Sequence, residues 1–173
     1  VQGIDISKDV IDDLLLLKTR FYEPHLLDLL RKHLGKNFFP IMLNDSNPAD
    51  VQILCVGTPI LEDGEVELEQ LESLLKKYPI LVNQTIIIRS TVPPGTLDSW
   101  NSKYFLKGNV LYYPEFLRQG SAWKDSEEST QNIYSIIRGG NEVLTEIYTH
   151  LHDWEMVEVK TAEYIKYMNN TFH

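Results

Sequence analysis

The chain has 173 residues, 43% of them hydrophobic and 10% aromatic, which is enough to bury a core as one α/β domain. Sixteen Lys and Arg stand against twenty-five Asp and Glu, a formal charge of −9. That balance excludes a domain-wide basic footprint for nucleic acid, while a local anion pocket needs only backbone amides and one or two cations. A first strand is expected over residues 2–6, with Asp5 near its end, so that no signal peptide is expected at the start. An amphipathic helix follows from about residue 8, and a second spans 24–34 with Pro24 in its first turn. Residues 37–43 read as a short, Pro-interrupted strand near a sheet edge. Residues 51–56 read as a buried strand stopped by Gly57-Thr58-Pro59, and 68–77 as a helix. A second buried strand over 85–89 turns through Ser90-Thr91-Val92-Pro93-Pro94-Gly95 into a helix over 97–103. Strands at 110–113 and 134–138, a helix at 141–150, a strand at 156–159 and a helix from 161 onward complete the pattern. The apolar runs at 14–17 and 86–88 are far too short to span a bilayer. The single Cys55 excludes an internal disulfide and suits a reducing compartment, so the expected location is cytoplasmic.

Strands alternating with helices predict a parallel sheet covered on both faces. In such sheets the ligand crevice lies beyond the carboxyl ends of the strands. Asp5, Gly57-Thr58-Pro59, Ser90-Thr91 and Pro114-Glu115 all fall at strand ends of that kind. Taken alone, Asp5 reads better as a solvated strand-end carboxylate or a helix cap than as a ribose ligand. Lys166 and Asn170 are four residues apart on a predicted helix and share a face. A cation and an amide donor aimed at one point can stabilise an oxyanion. An isolated Lys-x-x-x-Asn would more often be a solvated face, but Tyr164, Ile165, Tyr167 and Met168 make this helix apolar enough to be buried. Glu115 lies between Pro114 and Phe116-Leu117, a constrained setting in which a carboxyl pKa can rise. Cys55, inside Ile53-Leu54-Cys55-Val56, reads as inert packing.

The motifs Phe21-Tyr22-Glu23-Pro24, Cys55-Val56-Gly57-Thr58-Pro59, Arg89-Ser90-Thr91-Val92-Pro93-Pro94-Gly95-Thr96 and Pro114-Glu115-Phe116-Leu117-Arg118-Gln119-Gly120 follow in fixed order. They are succeeded by Ala122-Trp123-Lys124-Asp125, Gly139-Gly140 and the run from Ala162 to Asn170. In this order the chain resembles the UDP-glucose/GDP-mannose dehydrogenase family, closest to the UDP-glucose 6-dehydrogenases. Gly-Thr-Pro alone is a weak signal. Pro-Glu-Phe-Leu-Arg with a downstream Lys-x-x-x-Asn is highly specific, and it argues against a β-hydroxyacid dehydrogenase.

The resemblance implies a Rossmann-like, doubly wound, mostly parallel sheet and a two-step, NAD-dependent oxidation of a sugar C6 alcohol, through an aldehyde and a cysteine thioester, to a carboxylate. It implies that Glu115 handles protons through water, that Lys166 and Asn170 stabilise the oxyanion, and that Thr91 positions water near the nicotinamide. Asp5, Thr58, Thr91 and Gln119 are implied as cofactor contacts. Glu115, Phe116, Leu117, Arg118, Gln119, Lys166 and Asn170 are implied on the nucleotide-sugar side, with no metal. UDP-glucose is the expected substrate, with GDP-mannose next. Neither a nucleic acid nor a membrane is an expected partner; a homo-oligomer or a partner chain is.

Three departures from the family pattern stand out. The strand and glycine-rich turn with which the family opens are lacking, and the family's nucleophilic cysteine belongs to a Gly-rich motif beyond residue 173. Gln119 replaces a usual glutamate, and Tyr113 a usual Asn or Ser. Val10 stands where Lys or Arg is common. The expected organisation is an incomplete NAD-binding domain over 1–160 and the start of a linking helix over 161–173, truncated at both ends and inactive alone. The alternative is a non-catalytic binding or assembly module on the same fold. Either way, Lys166 is expected to lie partly buried beside a carboxylate.

Overall fold

A computed structural model describes residues 1–128 and 131–171. In chain order the elements are β1 (Gln2–Asp5), α1 (Lys8–Leu15), α2 (Leu26–His33), β2 (Phe39–Met42), β3 (Val51–Leu54), α3 (Glu69–Lys77), β4 (Thr85–Ile88) and α4 (Thr96–Tyr104). They continue with β5 (Asn109–Tyr112), α5 (Ala122–Glu127), β6 (Ile133–Arg138), α6 (Glu142–Ile147), β7 (Glu155–Met156) and α7 (Val159–Thr171). The helix expected over 161–173 falls on α7, except for residues 172 and 173, which lie outside the described residues. The chain divides into two compact units, one of Val1–Pro48 with Leu117–Glu128 and one of Ala49–Phe116 with Ser129–His173.

The first unit is a small βαβ-type assembly. β1 runs parallel to β2, with Gln2 opposite Phe39 and Asp5 opposite Met42. Pro40 removes one backbone donor, and β2 tolerates it because it pairs only with β1, at a sheet edge as its sequence suggested. The predicted second helix starts later than residue 24: His25 adopts a left-handed φ of 64°, which separates Pro24 from α2. Ile11 and Leu30 are the large aliphatic side chains buried here.

The second unit carries a five-stranded sheet in the order β3-β4-β5-β6-β7. β3, β4 and β5 are parallel, and β6 runs antiparallel to β5 and parallel to β7. The sheet is therefore mostly parallel, as expected. β4 and β5 show why continuous apolar runs make central strands. Ile86, Ile88, Val110 and Tyr112 pack into one cluster with Leu71, Leu97 and Trp100; Ile87, Leu111 and Tyr113 point the other way, towards Tyr134, Leu144 and Leu151. Alternate residues of one strand thus fill two cores on opposite faces.

The expectation of a buried strand at 51–56 is corrected. β3 is an edge strand, paired with β4 alone in its sheet, and Ile53 is 42% exposed. An apolar run specifies two covered faces, and does not say whether both edges are paired. Helix α5 was not anticipated, and the last strand contracts to two residues because α7 begins at Val159.

Candidate functional site

At the carboxyl ends of β3, β4 and β5 the chain is stitched into a fixed rim. Arg89 N and Ser90 N both donate to the Leu54 carbonyl, at 2.9 and 3.2 Å, and Tyr113 N donates to Ile88 O at 3.0 Å. The Ser90 hydroxyl donates to Val56 O at 2.7 Å, and the Thr58 hydroxyl donates to Thr91 O at 2.7 Å. These bonds hold the Gly57-Thr58-Pro59 turn against the Ser90-Thr91 turn. Both predicted threonines therefore sit together, half-buried, on one rim.

Helix α7 lies over this rim. Ala162 and Glu163 are fully buried and Lys166 is 3% exposed. Its Nζ is 3.7 Å from Glu115 Oε1 and 5.2 Å from the centre of the Phe116 ring. One helical turn further on, Asn170 Nδ2 donates to Thr91 Oγ1 at 3.4 Å. The structure thus brings Glu115, Phe116, Lys166, Asn170, Thr91 and Thr58 into one unit, and Lys166 is buried beside a carboxylate as expected. A buried ammonium is tolerable only when paired. Burial pushes the Lys166 pKa down, Glu115 opposes the fall, and nearby Arg89 reinforces it.

Sequence reasoning passed over Arg89. Its guanidinium lies over the Tyr113 ring at 4.3 Å and within 5.7 Å of the Tyr148 ring, and its Nη1 is buried with no hydrogen-bond partner among the described residues. The available signal was an arginine at the carboxyl end of an all-apolar strand, where a charge has to be compensated. Cys55 corrects another expectation. It follows β3 and the residue is exposed, not packed in the core. Its thiol still lies close enough to neighbouring side chains for desolvation to raise its pKa, against the pull of Arg89. A raised thiol is a poor nucleophile.

The remaining predicted residues, Asp5, Leu117, Arg118 and Gln119, belong to the first unit. Asp5 ends β1, and its Oδ1 accepts from Ser7 N at 2.8 Å in a turn leading to α1. Asp5 is thus a half-buried strand-end carboxylate bonded to the turn at Ser7, and the helix-cap alternative is corrected, since α1 has no side-chain cap hydrogen bond. Arg118 is already committed: Nε and Nη2 donate to Asp125 at 3.1 and 2.7 Å, and its backbone N adds a third bond at 2.9 Å. This bidentate pair holds the Asp125 carboxyl down at about 2. Leu117 and Gln119 are exposed beside it. Glu23, quoted only as a motif letter, accepts from Gly120 N at 2.8 Å and Trp123 N at 3.0 Å and so caps α5.

Residues 1–152 match the model of the UDP-glucose/GDP-mannose dehydrogenase family, NAD binding domain. The chain belongs to that family. It is 35% identical to an uncharacterized protein of Methanocaldococcus jannaschii, over 99% of this chain and 21% of that protein. It is 31% identical to GDP-mannose 6-dehydrogenase of Pseudomonas syringae, over all of this chain and 44% of the enzyme. The structure of a ternary complex of GDP-mannose dehydrogenase from Pseudomonas aeruginosa superposes with a TM-score of 0.76 at 29% identity, covering 100% of this chain and 44% of that one. The chain thus spans less than half the length of these relatives. It is a nucleotide-sugar dehydrogenase NAD-binding domain with a Rossmann-type α/β fold, and NAD is its cofactor class. The open space over Gly57, where an added Cβ would meet nothing within 4 Å, leaves room for a ligand to approach that turn. Among the described residues no helix is long and apolar enough to cross a membrane.

Proposed function

We propose that this chain is the NAD-binding part of a UDP-glucose 6-dehydrogenase, residues 1–160 forming the cofactor domain and 161–173 opening a linking helix. The whole protein would oxidise the C6 alcohol of UDP-glucose twice, to the carboxylate of UDP-glucuronate, in the cytoplasm and as an oligomer or with a partner chain. The observation that carries this reading is the buried Lys166, paired with Glu115 at the carboxyl ends of the parallel strands. An ammonium kept dry there meets a developing C6 oxyanion in a low dielectric, where charge stabilisation counts most. Its lowered pKa still requires protonation to act, and Glu115 favours the charged form. Glu115, 37% exposed by side chain, stands where water can reach it and so suits proton handling through water. Asn170 adds an amide donor to the same helical face, and its bond to Thr91 orients a hydroxyl able to position water. Asp5 would accept from the adenosine ribose, with Thr58 and Thr91 towards the nicotinamide; NAD, when bound, supplies the two-electron acceptor for each oxidation.

The stretch from Glu115 to Gln119 supports a nucleotide-sugar site, although the Arg118 guanidinium is engaged with Asp125 and offers its backbone more readily than its charge. GDP-mannose is the second reading, favoured by the Pseudomonas relatives that match the full chain. The test is NADH formation by the full-length protein with each sugar. UDP-glucose is expected to give two NADH per sugar and the higher kcat/KM. Lys166→Met is expected to lower kcat by about 10²–10³, the range for removing one oxyanion donor, with the fold retained. No turnover with any nucleotide sugar, or an unimpaired Lys166→Met, would overturn the proposal.

A further inference from the structure

Glu163 is a carboxyl group of the second unit with no exposed surface, and it takes no part in the proposed chemistry. Its Oε2 accepts from Gly95 N at 2.5 Å and its Oε1 from Leu97 N at 2.8 Å. These are amides at the start of α4, where helix N–H groups lack intrahelical partners. Pro93 and Pro94 have no N–H, and Thr96 N is taken by the Pro93 carbonyl at 3.1 Å. Gly95 and Leu97 are donors at this turn that Glu163 satisfies. An α4 cap would ordinarily come from a Ser, Thr, Asp or Asn at the N-cap itself. Here that position is Gly95 at φ 90°, a conformation suited to glycine, with no side chain to offer. The cap comes instead from α7, with the partners 66 and 68 residues apart.

That distance matters to the rim. Glu163, Lys166 and Asn170 lie along one face of α7, at spacings of three and four residues. The first grips the 91–97 segment at Gly95 and Leu97, the last touches it at Thr91, and Lys166 sits between the two anchors. A carboxylate this buried is unfavourable unless its donors are fixed, so the two amides tolerate little sliding. Burial raises the Glu163 pKa, the Leu97 and Gly95 amides lower it, and Asp98, Lys160 and the buried Tyr112 phenol complete its electrostatic surroundings.

We propose that Glu163 is a positioning residue: its grip on the Gly95 and Leu97 amides fixes the register of α7 against the 91–97 segment and so holds Lys166 at Glu115. A slip of α7 by one turn would carry Lys166 about 5.4 Å along the axis, more than the 3.7 Å now separating it from Glu115. The catalytic meaning of that placement rests on the proposed function; the placement itself does not.

The test uses the full-length protein and begins without substrate. Pulsed amine labelling read by mass spectrometry is expected to find Lys166 nearly unreactive in the parent. In a folded Glu163→Ala variant it should react at least ~10-fold faster, with exposed Lys76 and Lys103 unchanged and amide exchange at Gly95 and Leu97 accelerated. Glu163→Gln keeps the size and one acceptor oxygen, so it should give an intermediate rise and serves if the alanine variant does not fold. In turnover, Glu163→Gln should lower kcat about 10-fold with KM held, as displacement of a transition-state donor requires. Unchanged Lys166 labelling in a folded variant would overturn the positioning role, whatever happens to activity. Faster labelling in a protein that turns over no nucleotide sugar would uphold the positioning role and overturn the proposed function instead.

Discussion

The two units each cap a helix with a distant glutamate, and the two caps are built in opposite surroundings. Glu23 in the first unit reaches Gly120 and Trp123 across a half-exposed surface. Glu163 in the second reaches Gly95 and Leu97 in the dry interior. The first unit buries Ile11 and Leu30 but leaves Ile4, Ile6, Leu15, Leu16, Phe21 and Tyr22 open, and is held by polar clamps such as Arg118–Asp125. The second unit buries two apolar clusters on either side of a five-stranded sheet. One motif thus ties down a surface loop in one place and joins α7 to the start of α4 in the other. The difference lies in how much apolar cover surrounds the bond, because a buried unpaired donor costs far more than a wet one.

The comparison would break most visibly in the cores. Leu97→Ala, at a fully buried site, is expected to cost about 3–4 kcal/mol, while Leu16→Ala, 64% exposed, should change stability by less than about 0.5 kcal/mol. Urea unfolding of both variants checks this, and equal losses would mean that the first unit is packed like the second. A smaller effect is expected at the wet cap. Glu23→Ala should cost about 1 kcal/mol, the usual worth of a helix cap, with faster amide exchange confined to residues 117–128. Exchange spreading into β4 and β5 would show that this cap is not local. The smallest effect concerns Asp125. Its folded pKa, about 2, is depressed below the unfolded value near 3.8. Its contribution is therefore fully present above pH ~4 and lost as pH falls towards 2. Asp125→Asn should remove that part of the acid dependence in a thermal scan from pH 5 to 2, and an unchanged profile would count against the clamp.

Much of the architecture could be read from residue order. The apolar residues within Thr85–Ile88 and Asn109–Tyr112 marked strands, and the run at 85–89 a buried one, because a strand covered on both faces needs such a run. Helix α5 escaped notice because six residues carry too little periodicity, and its cap arrives from Glu23, 97 and 100 residues away. The antiparallel entry of β6 and the edge position of β3 are properties of pairing, which no single segment encodes. Lys166, Asn170 and Glu115 were found through spacing and motif; Arg89 and Glu163 were not, since each reads as an ordinary charged letter until its neighbours are known.

By itself, the sequence determined the alternation of strands and helices, the chemistry gathered at strand ends, the shared face of Lys166 and Asn170, and the family motifs. These follow from local periodicity and residue type, which act over a few residues. Tertiary structure alone decided that Lys166 is dry and faces Glu115, that the Arg118 charge is held by Asp125, and that Cys55 is exposed beyond an edge strand. It also decided that Glu163, within a helix of otherwise ordinary appearance, closes on amides 66 and 68 residues away. Burial and pairing depend on which distant segments arrive at a point, and they decide whether a charged side chain is a solvated ornament or a working group.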